Sequence, residues 1–156
     1  MKLYFMRHGK AEEKKPGISD EERKLTEEGK REVEFMVRSI ALDPEVIYTS
    51  PLLRSIQTAE IVAQLLGAKL IVTEALHPSS ASLSEIRKLL VPGMSSALFV
   101  GHSPSIENII RDMTGGCRVS LDPAAIAAIE VIDVETLTGV IKWIATPRMF
   151  RRGPTG

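Results

Sequence analysis

Arg7-His8-Gly9, Arg54 and His102 stand far apart in the sequence, yet each puts a cation or an imidazole within a few positions of the end of an apolar run. Two arginine side chains brought together would offer planar donor forks that match the oxygens of a phosphoryl group. An imidazole with one nitrogen held by a backbone carbonyl presents the other as a nucleophile, so His8 or His102 could accept such a group covalently. Taken singly, each has a plainer reading: Arg-His-Gly as a structural turn, Arg54 in a surface ion pair, His102 as a strand-to-helix corner. Their shared position after apolar runs is what points to one anion site.

The three groups meet only if the runs before them are parallel strands ending on one edge of a sheet, where the loops of open α/β folds converge. The pattern supplies that frame: Leu3 to Met6, Glu45 to Thr49, Lys69 to Thr73 and Ala97 to Gly101 read as strands. Amphipathic helices alternate with them. Thr26 caps the first, with Glu27 and Glu28 in its first turn and Val33, Met36, Val37 and Ile40 on one stripe. Ser50-Pro51 supplies an N-cap and a first-turn proline for a second, running to about Leu66 and ended by Gly67. A third spans Leu83 to Leu90. A fourth, opened by Ser103-Pro104, carries Ile106, Ile109, Ile110 and Met113 before Gly115 and Gly116 stop it. Ala125 to Ile132 and Val140 to Ala145, around a turn with Gly139, read as an antiparallel pair at the sheet edge. The alternation predicts an α/β fold, a three-layer α/β/α sandwich with a mostly parallel central sheet and an antiparallel edge strand.

At 156 residues and 44% hydrophobic, the chain suits a single domain, expected over residues 1–148 with 149–156 as a flexible C-terminal tail. Twenty basic and twenty acidic residues cancel, so no overall field draws the chain to nucleic acid or an anionic membrane, and any bound anion must be held by a local cluster. Lys10 to Lys24, dense in charge around Pro16 and Gly17, reads as a solvated loop over the site or beside it. Its Glu12, Glu13, Asp20, Glu21 and Glu22 read as a solvated face that could steer a basic partner. The lone Cys117 fits a filler thiol in a reducing compartment, and neither a signal-peptide pattern nor a run of roughly 20 apolar residues is present, so a cytoplasmic location is expected. With no carboxylate or cysteine cluster at ligand spacing, no metal and no cofactor is expected.

In order and spacing these segments resemble the histidine phosphatase superfamily, which includes the cofactor-dependent phosphoglycerate mutases. Met6-Arg7-His8-Gly9 is similar to its amino-terminal signature, Ser50-Pro51-Leu52-Leu53-Arg54 with Gln57-Thr58-Ala59 to its second phosphate-binding segment, and Val100-Gly101-His102 to its second histidine. The resemblance implies a phosphoglycerate mutase-like fold, a phosphorylated nucleophile at His8, phosphoryl binding by Arg7 and Arg54, and His102 as the electrostatic partner completing the pocket. The short length, the Lys24-Leu25-Thr26 and Gly29 element and the missing insertions look like the SixA-type phosphohistidine phosphatase branch in particular.

One departure bears on the substrate. Many members carry a carboxylic acid after the third strand that protonates the leaving oxygen, whereas here Glu74-Ala75-Leu76-His77-Pro78-Ser79 runs almost straight into the next helix. A protonated phosphoimidazole needs less acid help than an alkyl ester, which favours phosphohistidine in a protein over a small phosphorylated substrate. His77 is a candidate substrate contact or stand-in acid, set against the plainer reading of a surface loop histidine, with Glu74 and Glu85 behind it. The rival readings are a small-molecule phosphate-ester phosphatase with the same pocket, and a non-catalytic phosphoprotein-binding module. For the latter, a nucleophile beside two arginines would be idle.

Overall fold

Side chains along the first and fourth strands alternate between two separate apolar cores, the mark of a sheet covered on both faces. Leu3, Phe5, Ala97 and Phe99 enter one core, with Ile86, Ile106, Ile109 and Met113. Tyr4, Met6, Leu98 and Val100 enter the other, with Val33, Met36, Val37 and Val62. The computed structural model, which describes residues 1–151, is the three-layer α/β/α sandwich the alternation predicts.

Six strands form the sheet: β1 (Lys2–Arg7), β2 (Val46–Thr49), β3 (Lys69–Val72), β4 (Ser96–Gly101), β5 (Ile126–Asp133) and β6 (Thr138–Ala145), in the order β3-β2-β4-β1-β5-β6. The first four pair in parallel, and β5 and β6 add an antiparallel flank on β1. Helices α1 (Glu27–Ser39) and α2 (Leu53–Leu66) cover one face, α3 (Leu83–Arg87) and α4 (Ser105–Met113) the other. Because β4 lies between β1 and β2, with Arg7 opposite Gly101 and Val100 opposite Thr49, the loops after these three strands leave the sheet side by side.

Local chemistry sets the boundaries. Thr26 caps α1, its side chain accepting from Gly29 N at 2.9 Å. Gly67 closes α2 in the left-handed conformation at φ 65°. Gly29 has a further use: a Cβ there would fall 2.2 Å from the Lys10 carbonyl oxygen, so only glycine lets α1 approach the loop behind His8.

Four expectations need correction. Ser50 does not cap α2, whose N-cap is Leu52; its hydroxyl serves the histidine at the end of β4 instead. Ser103 lies outside α4, which Pro104 precedes as N-cap, and the third helix stops at Arg87 rather than Leu90. Met149 and Phe150, placed in a flexible tail by the sequence, belong to a 3-10 turn over Pro147–Phe150. There the Phe150 ring meets Phe35 of α1 edge-on at 5.5 Å and Arg151 pairs with Glu32, while residues 152–156 lie outside the described residues. No helix among the described residues is long and apolar enough to cross a membrane.

Candidate active site

His8 follows β1 directly, and its amide still hydrogen-bonds the Gly101 carbonyl at 3.0 Å, so the sheet ladder fixes its backbone. Its ring Nδ1 lies 2.7 Å from the Gly9 carbonyl, an acceptor, which puts the ring proton on Nδ1 and leaves a lone pair on Nε2. Burial, with the charges of Arg54 and Arg7 behind it, pushes the His8 pKa down to about 4 against the opposing pull of the Gly9 carbonyl. The imidazole is therefore neutral at neutral pH, the form a nucleophile needs.

Arg54, in the first turn of α2, is only 5% exposed. Its Nε–H points at His8 Nε2 from 3.3 Å, while Nη1 donates to the Asp20 carbonyl at 2.7 Å and Nη2 to Asp20 Oδ2 at 3.1 Å. A guanidinium carries five N–H bonds; with three engaged, one remains on each terminal nitrogen for an oxyanion. Arg7, the last residue of β1, is anchored by Nη1 to the Leu121 carbonyl at 2.8 Å.

His102 continues β4 and is 4% exposed, with its ring 5.1 Å from that of His8. Ser50 Oγ sits 2.7 Å from its Nε2. Burial first, then the neighbouring His8 and Arg54, push its pKa down to about 3. Arg7 Nε, His102 Nδ1 and Ser103 Oγ are buried without a hydrogen-bond partner among the described residues, and Arg7, His102 and Ser103 line one pocket with His8, Asp20, Arg23 and Arg54. Buried polar atoms are rarely left this way, and a tetrahedral oxyanion is the shape that several converging donors would satisfy.

The segment behind His8 is also tied to α2. Gly9 N donates to Thr58 Oγ1 at 3.0 Å, Thr58 Oγ1 donates to the Arg54 carbonyl at 2.8 Å, and Leu25 N donates to Gln57 Oε1 at 2.8 Å. The Gln57-Thr58 pair thus fastens the segment behind His8 onto α2.

Of the residues singled out from sequence, Arg7, His8, Arg54 and His102 come together in this pocket. His77 does not line it. Its Nδ1 accepts from Ser79 N at 3.1 Å and its Nε2 is 3.8 Å from Glu21, leaving the neighbouring Pro78 on the pocket wall. Glu74 and Glu85 are likewise absent from the lining, and Glu85 pairs with Lys88. The loop expected over the site or beside it does lie over it, through the 3-10 turn Asp20–Glu22, but Asp20, expected only on a solvated face, is a correction: its carboxylate joins Arg54 to Arg23, whose Nε lies 2.8 Å from Oδ1. Arg23 went unrecognised in the sequence, where only its spacing to Asp20 within a charged loop could have flagged it. Burial alone would raise the Asp20 pKa, but hydrogen bonds and charge from Arg23 and Arg54 prevail and hold it below the usual carboxylate range. Among the described residues, no cluster of three or more His, Cys, Asp or Glu side chains could hold a metal ion.

The family model described as "Histidine phosphatase superfamily (branch 1)" matches residues 3–85. An uncharacterised protein of Picosynechococcus sp. (strain ATCC 27264 / PCC 7002 / PR-6) is 34% identical over 113 residues, 68% of each chain. Among solved structures, the protein histidine phosphatase SixA complexed with tungstate superposes with a TM-score of 0.82 at 24% identity, over 97% of this chain and 100% of that one. A mycobacterial glucosyl-3-phosphoglycerate phosphatase does so with a TM-score of 0.75 at 13% identity, over 93% and 99%. At these identities the structural likeness speaks for the fold.

Proposed function

Since this chain belongs to the histidine phosphatase superfamily, we propose that it is a phosphatase that works through a phosphohistidine at His8 and takes phosphohistidine in a protein as its substrate. The observation that carries the reading is the His8 ring itself: Nδ1 is committed to the Gly9 carbonyl, and the Nε2 lone pair faces the Arg54 Nε–H, with 3.3 Å between the nitrogens. In the first step Nε2 attacks phosphorus in line, the P–Nε2 bond forms and the bond to the leaving nitrogen breaks. A phosphoimidazole protonated on its other nitrogen departs as neutral imidazole, so the enzyme need donate no proton. In the second step water attacks phosphorus and the P–Nε2 electron pair returns to His8.

Charge on the equatorial oxygens is met by Arg54 and Arg7, with His102 completing the pocket as a neutral imidazole that Ser50 orients. The state of Asp20 supports a good leaving group. It is the one carboxylate among the residues lining the pocket, and two guanidinium groups keep it ionised, so it accepts hydrogen bonds and gives no proton. A sugar ester, the class named for the mycobacterial neighbour, would have to expel an alkoxide unaided. The leaving-group argument favours a phosphorylated protein as partner over a small phosphorylated substrate.

The test is to mix the protein with a histidine-phosphorylated protein and trap the intermediate. An acid-labile, base-stable phosphoenzyme that His8→Ala cannot form is the expected result. Turnover retained in His8→Ala would sink the mechanism.

A further inference from the structure

We infer that Asp20 is a positioning residue of this reaction, holding Arg54 in the pose that aims its Nε–H at His8 Nε2 and yoking it to Arg23. The inference rests on the reading of Arg54 as a phosphoryl-binding group. Asp20 grips Arg54 through two different atoms, the main-chain carbonyl on Nη1 at 2.7 Å and Oδ2 on Nη2 at 3.1 Å. Its other carboxylate oxygen takes the Arg23 Nε–H at 2.8 Å, and Arg23 Nη1 donates to the Glu12 carbonyl at 2.8 Å, which ties the clamp to the loop behind His8.

An exposed ion pair would contribute little. This one closes on a guanidinium that is 5% exposed and directed at the nucleophile. A free arginine side chain samples many rotamers, and fixing it before substrate arrives removes that ordering from the chemical step. The carboxylate also lies between two cations that otherwise repel each other across the pocket rim.

The experiment compares Asp20→Ala, Asp20→Asn, Arg54→Ala and the Asp20→Ala/Arg54→Ala pair in kcat and KM on p-nitrophenyl phosphate, in inhibition by inorganic phosphate, and in thermal melting. Asp20→Ala is expected to lower kcat on the order of tenfold with weaker phosphate inhibition, because a misaimed fork loses transition-state contact. Asp20→Asn should recover part of the loss, since its amide oxygen still accepts from Nη2, and it keeps the test open if the alanine variant melts early. The pair should be no worse than Arg54→Ala alone. Full kcat in Asp20→Ala beside a large loss in Arg54→Ala would overturn the inference and leave the functional reading standing. So would additive losses, or tighter phosphate inhibition in Asp20→Ala, which would make Asp20 a competitor for the pocket. Arg54→Ala without loss would instead sink the functional reading itself.

Discussion

Arg54 Nε stands 3.3 Å from Nε2 of His8, so the guanidinium proposed to hold the phosphoryl oxygens with its terminal N–H groups faces the nitrogen proposed to carry the phosphorus. Replacing Arg54 by Ala should cost on the order of a hundredfold or more in kcat/KM, the loss typical of removing one preorganised donor from developing charge. Arg54→Lys should recover only a small part, because an ammonium cannot hold Asp20, His8 and two oxygens at once. A loss under about threefold in the alanine variant would place Arg54 outside the chemistry.

The two depressed histidine pKa values make a prediction about stability. His8 falls to about 4 and His102 to about 3 from the ordinary imidazole value of 6.5, so between roughly pH 4 and 6.5 the unfolded chain binds protons that the folded chain refuses. Stability from these groups is present above the unfolded value and is lost as pH falls toward the folded ones. The melting temperature should therefore drop between pH 6.5 and 4. His8→Gln and His102→Gln should each flatten the drop. The carboxylates Asp20, Glu28 and Glu45 sit below the usual carboxylate range, so their losses fall mainly at lower pH. A melting temperature that is flat across the window in the parent protein would contradict the neutral, buried state of both rings.

Thr58 of α2 ties the loop behind His8 to its own helix through one hydroxyl that accepts from Gly9 N and donates to the Arg54 carbonyl. Thr58→Val keeps the shape but leaves the buried Gly9 amide unpaired, at about 1–3 kcal/mol. Denaturant unfolding should register that loss, and kcat/KM should fall with it because the His8 loop is no longer pinned to α2. Unchanged stability would mean that the amide finds another partner.

Much of this frame is legible in sequence, for physical reasons. Strands buried on both faces read as continuous apolar runs, as Leu3 to Met6 does, and the α4 stripe of Ile106, Ile109, Ile110 and Met113 has an unbroken helical period. Arg7, His8, Arg54 and His102 could be found because each sits at the end of a strand or within a few residues after one. Ser50 and Asp20 could not. Ser50-Pro51 has the composition of a helix start, and only the neighbouring β4 reveals that its hydroxyl turns to His102. Asp20 and Arg23 lie in a loop without periodicity, where charge reads as solvation until the chain path brings them over α2.

Gly29→Ala tests how tightly α1 must seat against the loop behind His8. The added methyl would lie 2.2 Å from the Lys10 carbonyl oxygen and 3.0 Å from both its carbon and nitrogen, all main-chain atoms that cannot rotate away. Alanine ordinarily favours a helix over glycine by about 1 kcal/mol, so a substitution that would stabilise a free helix should here destabilise the protein by about 1–3 kcal/mol. It should also lower kcat/KM by shifting Lys10 and the adjacent His8. A stabilised variant with full activity would mean that the loop can move aside without cost.

Substrate choice gives the most discriminating prediction, and it turns on what Asp20 can do. In a pocket whose lining carboxylate is held ionised by Arg23 and Arg54, a leaving group must depart on its own acidity. General-acid help is ordinarily worth 10²–10⁴-fold, so its lack puts roughly 3–5 kcal/mol between alkyl phosphates and a protonated phosphoimidazole once binding is equalised. Across a series of phosphates of rising leaving-group pKa at fixed pH, log kcat/KM should fall steeply. Acidic phenols should lie between phosphohistidine and the sugar esters. Asp20→Asn should shift the whole line down without changing its slope, because Asp20 acts on Arg54 rather than on the departing atom. A shallow line, with sugar esters cleaved as well as phosphohistidine, would show that the pocket does supply a proton, and a slope that steepens in Asp20→Asn would identify Asp20 as its source.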